Sequence, residues 1–354
     1  MQQLKSWVRD YLSDPQVVTL SGLLVVGFGV LAIAGDTLAP VIASVVLAYL
    51  LEGAVGRLER LAVPRLAAVL LVFLLFLAML AILFLVFIPL LVGQISQLAQ
   101  QLPHMLSTLR GQLLQLPTLY PELLGDQHAA ELVERLRAEL VVLGQRFLAY
   151  SVQLLPTVVT LSVYLVLVPL LVFFFLKDRD VILGWCLRFL PRERPLADQV
   201  WHEVNIRVGG YVRGKMYEIL IVAIVTYVGF LWLGLDFSAL LATVAGVSVV
   251  IPYIGALFAA LPVLVVALFQ WGMGDQMLWA LGVYTVIQVL DGNLVAPLLL
   301  SETVKLHPIA VIVAILVFGG IWGFWGVFFA VPLASLVQVV VKLWPQRPVR
   351  SLLP

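Results

Sequence analysis

Long blocks without a single Asp, Glu, Lys or Arg follow one another along this chain, separated by short charged segments. The blocks run 15–35, 37–51, 66–109, 147–176, 219–235, 237–274, 276–290, 292–301 and 306–341. A helix needs about 20 apolar residues to cross a hydrocarbon core of roughly 30 Å. Spans are therefore expected near 17–35, 37–52, 66–91, 152–176, 216–234, 238–270, 277–300 and 308–341. Inside lipid the backbone must satisfy its own hydrogen bonds, and the blocks are continuous, unlike the short alternating strands of a transmembrane barrel. The pattern predicts an all-α, polytopic integral membrane protein with about eight transmembrane helices.

Composition agrees and narrows the function classes. Of 354 residues, 62% are hydrophobic and 12% charged, with a mean hydropathy of +1.09. Soluble proteins are about 25% charged, so a soluble enzyme, a disordered chain and a nucleic-acid binder all lack the polar surface they need. A net charge of +1 gives no pull toward an anionic partner. One cysteine, Cys186, excludes an internal disulfide and a thiolate metal cluster. His104, His128, His202 and His307 are scattered, so neither a metal site nor a cofactor is expected. No G-x-x-x-x-G-K-[ST] loop occurs, which leaves direct coupling to ATP unsupported.

The first block carries Ala32-Ile33-Ala34, which has the look of a signal-peptidase site. Lys5 and Arg9 are offset by Asp10 and Asp14, however, and the apolar run is long for a cleaved signal, so a retained anchor is expected. Counting basic residues orients the spans. With the N-terminus inside and eight single crossings, 16 of the 21 Lys and Arg residues fall on the inner side. The other five, Arg110, Arg135, Arg137, Arg146 and Lys305, fall outside. Both termini are expected to be cytoplasmic, in a bacterial inner membrane.

Two inserts separate the spans. In 93–150, Ile95, Leu98, Leu102, Met105, Leu109, Leu113 and Leu116 recur at steps of three and four. Beyond the break at 117–121, Leu132, Leu136, Leu140, Leu143 and Phe147 do the same. Such stripes must bury against something, here an extracytoplasmic helical hairpin packing on itself or on a neighbouring subunit, or a ligand-capturing cap. In 177–214, Trp201, Val204, Val208 and Tyr211 share a face of an expected cytoplasmic helical collar at the membrane surface. The expected division is a cytoplasmic segment 1–16, helices over 17–92, the first insert, a span over 151–176, the second insert, a C-terminal transport block 215–341 and a tail 342–354.

The C-terminal block departs from plain spans. As one straight helix, 237–274 would be about 57 Å long at 1.5 Å per residue, nearly twice the membrane core. Pro252 and Gly255 interrupt it within Ile251-Pro252-Tyr253-Ile254-Gly255. The block 306–341 is likewise interrupted, by Gly319, Gly320, Gly323 and Gly326. A weak echo links the two: the octet from Gly255 to Pro262, GALFAALP, resembles GVFFAVP from Gly326 to Pro332. Each block is either one broken span or a re-entrant hairpin, and in the hairpin reading Lys305 moves to the cytoplasmic side. Paired interrupted segments point to a transporter's substrate region, although glycines also serve close helix packing.

Between these blocks Asp291 is the only charge from Asp275 to Glu302, with Gly292 and Pro297 weakening the helix around it. An ionisable group inside the membrane defaults to a functional role such as a proton or cation relay; a helix cap or an interfacial position is the competing reading. Gln288, Asn293 and Tyr253 are the other polar candidates for a translocation path, their amides and hydroxyl suiting a small polar solute. Glu302, Lys305 and His307 form a polar turn, with Glu302 and Lys305 at helical spacing. Arg213 and Lys215 begin the fifth span, where topology anchoring is expected.

These motifs, taken together, resemble the autoinducer-2 exporter (AI-2E) family, and within it the PerM-type permeases. The residues that carry the likeness are Tyr211-Val-Arg213-Gly214-Lys215, Ile251-Pro252-Tyr253-Ile254-Gly255, Asp291-Gly292-Asn293 with Pro297, Leu306-His307-Pro308 and the Gly319–Pro332 block. Leu165-Val-Leu-Val-Pro-Leu and Phe173-Phe-Phe-Leu-Lys177-Asp178 extend it to almost the whole chain. The resemblance implies an inner-membrane permease of about eight helices, a homo-oligomer (a pentamer), and export of the signal autoinducer-2. Some members are linked instead to sodium–proton antiport. The expected function is thus secondary transport of a small molecule or ion, with membrane lipid as the other partner and no nucleic acid. A non-transporting oligomeric scaffold or pore is the alternative. An intramembrane serine protease, prompted by Gly246-Val-Ser248, lacks a suitably placed histidine, and no enzyme activity is expected.

Overall fold

The computed structural model describes residues 15–101, 154–188, 195–252, 254–300 and 306–343, and these are helical apart from short turns. Helix α1 spans Pro15–Arg60. Helix α2, Arg65–Gln101, contains a π-type turn at Leu83–Phe87. Then come α3 (Leu154–Lys177), α4 (Arg179–Leu187), α5 (Pro195–Leu233), α6 (Ser238–Ser248) and α7 (Ile254–Trp271). Helix α8 (Asp275–Leu300) has a second π-type turn at Asp291–Val295, and α9 (Pro308–Gly323) and α10 (Trp325–Lys342) follow. Six of these segments are long and apolar enough to cross a bilayer: Thr37–Arg60 of α1, then α2, α5, α7, α8 and α10. Their apolar side chains are widely uncovered, Leu75 at 68%, Leu85 at 76% and Trp232 at 83%. Water does not tolerate surfaces of that extent; lipid does.

The described chain divides into two compact units, 1–73 with 168–217 and 296–354, and 74–167 with 218–295. In the first, the end of α1 is clamped to the turn that follows it. Glu52 accepts from Arg179 Nη1 at 2.8 Å and from Arg65 Nη1 at 3.4 Å, while Arg65 Nη1 also reaches Glu59 at 3.1 Å. Arg65 Nη2 donates to the Leu176 carbonyl at 3.0 Å, satisfying a carbonyl at the C-terminus of α3. Farther along, Tyr49 fills the space left by Gly209, where a Cβ would lie 1.8 Å from the Tyr49 oxygen.

In the second unit, Phe230, Leu235, Phe237, Leu241, Val263, Val266 and Tyr284 gather the ends of α5, α6, α7 and α8 into one core. Leu98 of α2 packs on it, and Gln94 Oε1 accepts from the Leu240 N–H at 2.8 Å. The expected insert at 93–150 thus begins as a direct continuation of α2. The rest of that stretch, from 102, lies outside the described residues.

Three expectations change. No turn divides 17–35 from 37–52: α1 runs through both, because a single charged residue in the sequence leaves helical backbone hydrogen bonding intact. Pro40 is tolerated, its neighbourhood braced by Ser44 Oγ donating to the Pro40 carbonyl at 2.6 Å and to Val168 O at 3.3 Å. The collar at 177–214 is not separate from the fifth span, since α5 is continuous over 39 residues. Its apolar stripe is also narrower than expected, for Tyr211 is buried while Trp201 is 66% exposed. The third change concerns the two interrupted blocks.

Each interrupted block folds back on itself. Helix α6 has 11 residues, about 17 Å at 1.5 Å per residue, too short to cross. The turn after it brings α7 back so closely that a Cβ on Gly255 would lie 1.7 Å from the Ser248 carbonyl oxygen. In the second block the backbone breaks at Trp322 (φ −126°, ψ 15°) and Gly323 (φ 56°, ψ −129°). A Cβ on Gly326 would lie 1.8 Å from Phe318 O, and one on Gly319 would lie 2.8 Å from Val327 Cγ2. Residues eight apart in a straight helix are about 12 Å apart along its axis. Both blocks are therefore helical hairpins rather than broken spans.

Candidate functional site

Asp291 ends the regular part of α8 and opens its π-type turn, which runs Asp291–Val295. A π-turn inserts one extra residue per turn, and such bulges recur at functional positions because they re-aim the side chains beyond them. Here the weak helix formers Gly292 and Asn293 lie inside the turn. The result places a carboxylate that is 8% exposed inside a 26-residue apolar helix. Three residues before it, Gln288 is half-buried and its Nε2 is shielded from solvent. Asn293 is exposed, and its Nδ2 donates back to the Val289 carbonyl at 2.8 Å, so it braces the turn. Gly292 and Pro297 are exposed as well, and a Cβ on Gly292 would meet nothing within 4 Å.

The remaining candidates scatter. Tyr253, Glu302 and Lys305 lie outside the described residues. Pro252 lies in the turn of the first hairpin. His307 is exposed ahead of α9, where its carbonyl accepts the Ala310 and Val311 N–H groups and its Nδ1 faces the Ile309 N–H at 3.3 Å. It is an N-terminal turn residue. Arg213 lies over the Tyr49 ring, 5.4 Å from its centroid, a cation–π contact that fixes it to α1. Gly214 lets α5 approach the end of α8, for a Cβ there would lie 2.7 Å from Leu299 O. Gly320 is open and exposed. Ser248 Oγ donates to Ala245 O at 2.7 Å, a local bond within its own helix. Among the described residues, no group of three or more His, Cys, Asp or Glu side chains is placed to hold a metal ion.

The burial of two charges was not expected from the sequence, and one of them, Glu218, was not singled out there at all. Lys215, expected at the membrane edge, is 3% exposed, and Glu218, one turn later on α5, is 2% exposed. Glu218 stands at the rim of the block 219–235 and so reads in the sequence as its boundary; the cue was its separation by three residues from Lys215. Ionised groups are buried only at high cost unless compensated, so their burial marks a purpose-built environment. Thr226, two turns beyond Glu218, is 0% exposed.

A second feature of the first unit is a cavity of about 300 Å³ with almost wholly apolar walls, among them Val45, Val208, Trp322, Trp325, Phe329 and Leu336. None of the residues that line it is titratable.

Comparison with known proteins gives a family of transport proteins. The family model described as AI-2E family transporter matches residues 22–346. The chain is 43% identical over 345 residues to the Escherichia coli K12 protein named "Putative permease PerM", covering 98% of each. It is 28% identical over 316 residues to "Putative transport protein sll0063" of Synechocystis, covering 87% of this chain and 78% of that one. To "Putative transport protein YrrI" of Bacillus subtilis it is 24% identical over 306 residues, 85% of each.

Proposed function

The chain belongs to the AI-2E transporter family, and on that premise we propose that it is a secondary transporter of a small polar solute, with Asp291 on the translocation path. The observation that carries the reading is the buried carboxylate on a π-type turn inside an apolar spanning helix. A carboxylate in that position is costly and persists where it exchanges a proton or a cation. Export of autoinducer-2 is the solute reading that the family name supports. Sodium–proton exchange is the second reading, favoured by the additional buried carboxylate of Glu218.

The same reading places the basic turns in the cytoplasm of a bacterial inner membrane. With both interrupted blocks folded as hairpins Lys305 joins the basic side, and with α1 crossing once as an unbroken helix Lys5 and Arg9 leave it, so that side holds 15 of the 21 Lys and Arg residues. The amphipathic stripes of 93–150 support assembly as a homo-oligomer.

Purified protein reconstituted in proteoliposomes, with imposed proton or sodium gradients, tests the proposal. Asp291→Asn removes the ionisable proton at nearly constant volume. Flux should fall at least tenfold and lose its pH dependence; unchanged flux with an unchanged pH profile takes Asp291 out of the mechanism. Saturating flux in the wild type separates a transporter from a pore, and absence of flux with every gradient returns the scaffold reading.

A further inference from the structure

The seam between α5 and α8 holds polar atoms that packing alone does not call for. On α5 the residues Glu218, Val222, Thr226 and Phe230 recur every four positions, and all are buried. On α8 the buried stripe is Ala280, Tyr284, Ile287 and Asp291, with Gln288 one turn beyond Tyr284. All of these lie in the second unit. The stripes meet directly. Val222 and Ile287 share a cluster with Ile219 and Val283. A Cβ on Gly229 would lie 3.1 Å from Val283 Cγ1 and 3.6 Å from Ile287 Cδ1. The Phe230 and Tyr284 rings stack at 6.5 Å. Because Phe230 meets Tyr284 while the earlier Val222 meets the later Ile287, the helices run antiparallel. Thr226, midway between Val222 and Phe230, therefore lies at the level of the turn from Tyr284 to Gln288.

Two side chains here each carry an orphaned polar atom. Thr226 Oγ1 and Gln288 Nε2 are shielded from solvent and have no hydrogen-bond partner. This is not the habit of the helices here. Thr243 and Thr285 each return their hydroxyl proton to the carbonyl four residues back, both at 2.7 Å, and Ser44 does the same at 2.6 Å. Buried polar groups are nearly always paired, and lipid offers no water to make up the loss. An amide N–H repels a metal cation, so the complement of this pair is an oxygen that accepts from Gln288 and exchanges a hydrogen bond with Thr226.

We propose that Thr226 and Gln288 form a binding site for one hydroxyl-type oxygen, either a water or an alcohol group of the transported solute. It lies two turns from Glu218 along α5 and one turn from Asp291 along α8. The site deepens the transport reading, and only its solute source rests on that reading.

Thermal unfolding of the purified full-length protein tests it without a transport assay. Thr226→Val removes the hydroxyl at constant volume. If the seam holds an oxygen, Tm falls by about 3 °C or more, and Gln288→Leu then costs less in the Thr226→Val background than alone, because the pair shares one guest. A loss of Tm in solute-free buffer identifies water. If instead D-ribose, as a polyhydroxylated probe, raises the wild-type Tm and leaves that of Thr226→Val unmoved, the solute hydroxyl is the source. If Thr226→Val raises Tm or leaves it unchanged, and ribose does nothing, the seam is dry and the proposal is overturned. Should Thr226→Val not fold, Thr226→Ser must be more stable than Thr226→Ala, since only serine keeps the oxygen; the reverse order overturns it. Unchanged flux in Asp291→Asn would remove the transport reading and leave this result standing.

Discussion

The two hairpins reach one geometry through different turns. In α6–α7 the incoming helix ends in tight i→i+3 turns: Val250 N–H donates to Val247 O at 3.2 Å and Ile251 N–H to Ser248 O at 3.0 Å. Pro252 then ends helical pairing, and no described residue of this turn has a positive φ. In α9–α10 the reversal is concentrated at Gly323, whose φ of 56° with ψ of −129° is glycine territory. What the hairpins share is the step after the turn. Gly255 and Gly326 each receive a carbonyl from the incoming arm where a Cβ would stand, at 1.7 Å and 1.8 Å. Close arm contact is thus the common requirement, and the chemistry of the turn is exchangeable.

Their surroundings differ as well. The first hairpin is tied at its base by a polar clamp, in which Gln270 Oε1 accepts the Asp236 N–H at 2.8 Å and Gln270 Nε2 donates to Gly234 O at 2.7 Å. The second is lined by rings, Phe318 stacked with Trp322 at 6.3 Å and Trp325 with Phe329 at 6.2 Å, beside the apolar cavity. One hairpin holds its position by directional bonds and the other by shape.

The comparison breaks most sharply at the shared glycines. Gly255→Ala and Gly326→Ala should each cost about 3 kcal/mol, because a methyl driven into a backbone carbonyl forces the arms apart; thermal unfolding in detergent reads it. Equal stability of either variant with wild type would mean the arms do not touch as described. Gly323→Ala comes next, at about 2 kcal/mol of backbone strain. A measured cost well under that would show that the second hairpin does not depend on its glycine turn. Gln270→Leu removes two exposed hydrogen bonds and should lose about 1 kcal/mol, with increased amide hydrogen exchange around 234–240 as the local sign. Gly292→Ala and Gly320→Ala add a methyl into open space and should change stability by less than about 0.5 kcal/mol. A large loss at either would assign it a contact that the hairpins do not need. Topology supplies a separate check: a cysteine at Lys305 should resist labelling by an impermeant reagent from outside sealed cells, and labelling there would restore a full crossing by one block.

Much of the site was legible because isolation is a local property. Asp291 stands alone between Asp275 and Glu302, and Gly292 announces the weak helix around it. Glu218 and the burial of Lys215 were not legible, since charges at the rim of an apolar block look like boundary markers until a neighbouring helix covers them. Thr226 is unremarkable in sequence, one small polar residue among valines and isoleucines. The echo between Gly255 and Gly326 was readable as likeness, whereas Gly319, Gly320 and Gly292 looked equally suggestive and play unequal parts.

Hydropathy and charge spacing by themselves determined that this chain is a helical membrane protein, where its apolar blocks begin, and that two of them are interrupted. Those are sums over neighbours in sequence, because the transfer of a residue into lipid is paid residue by residue. Tertiary structure alone decided that the interrupted blocks fold back, that α1 and α5 run unbroken through expected boundaries, and which polar side chains end up sealed between helices. Those outcomes depend on the rotation of each helix about its axis and on the partner that covers it, and neither is written in the residues of one helix.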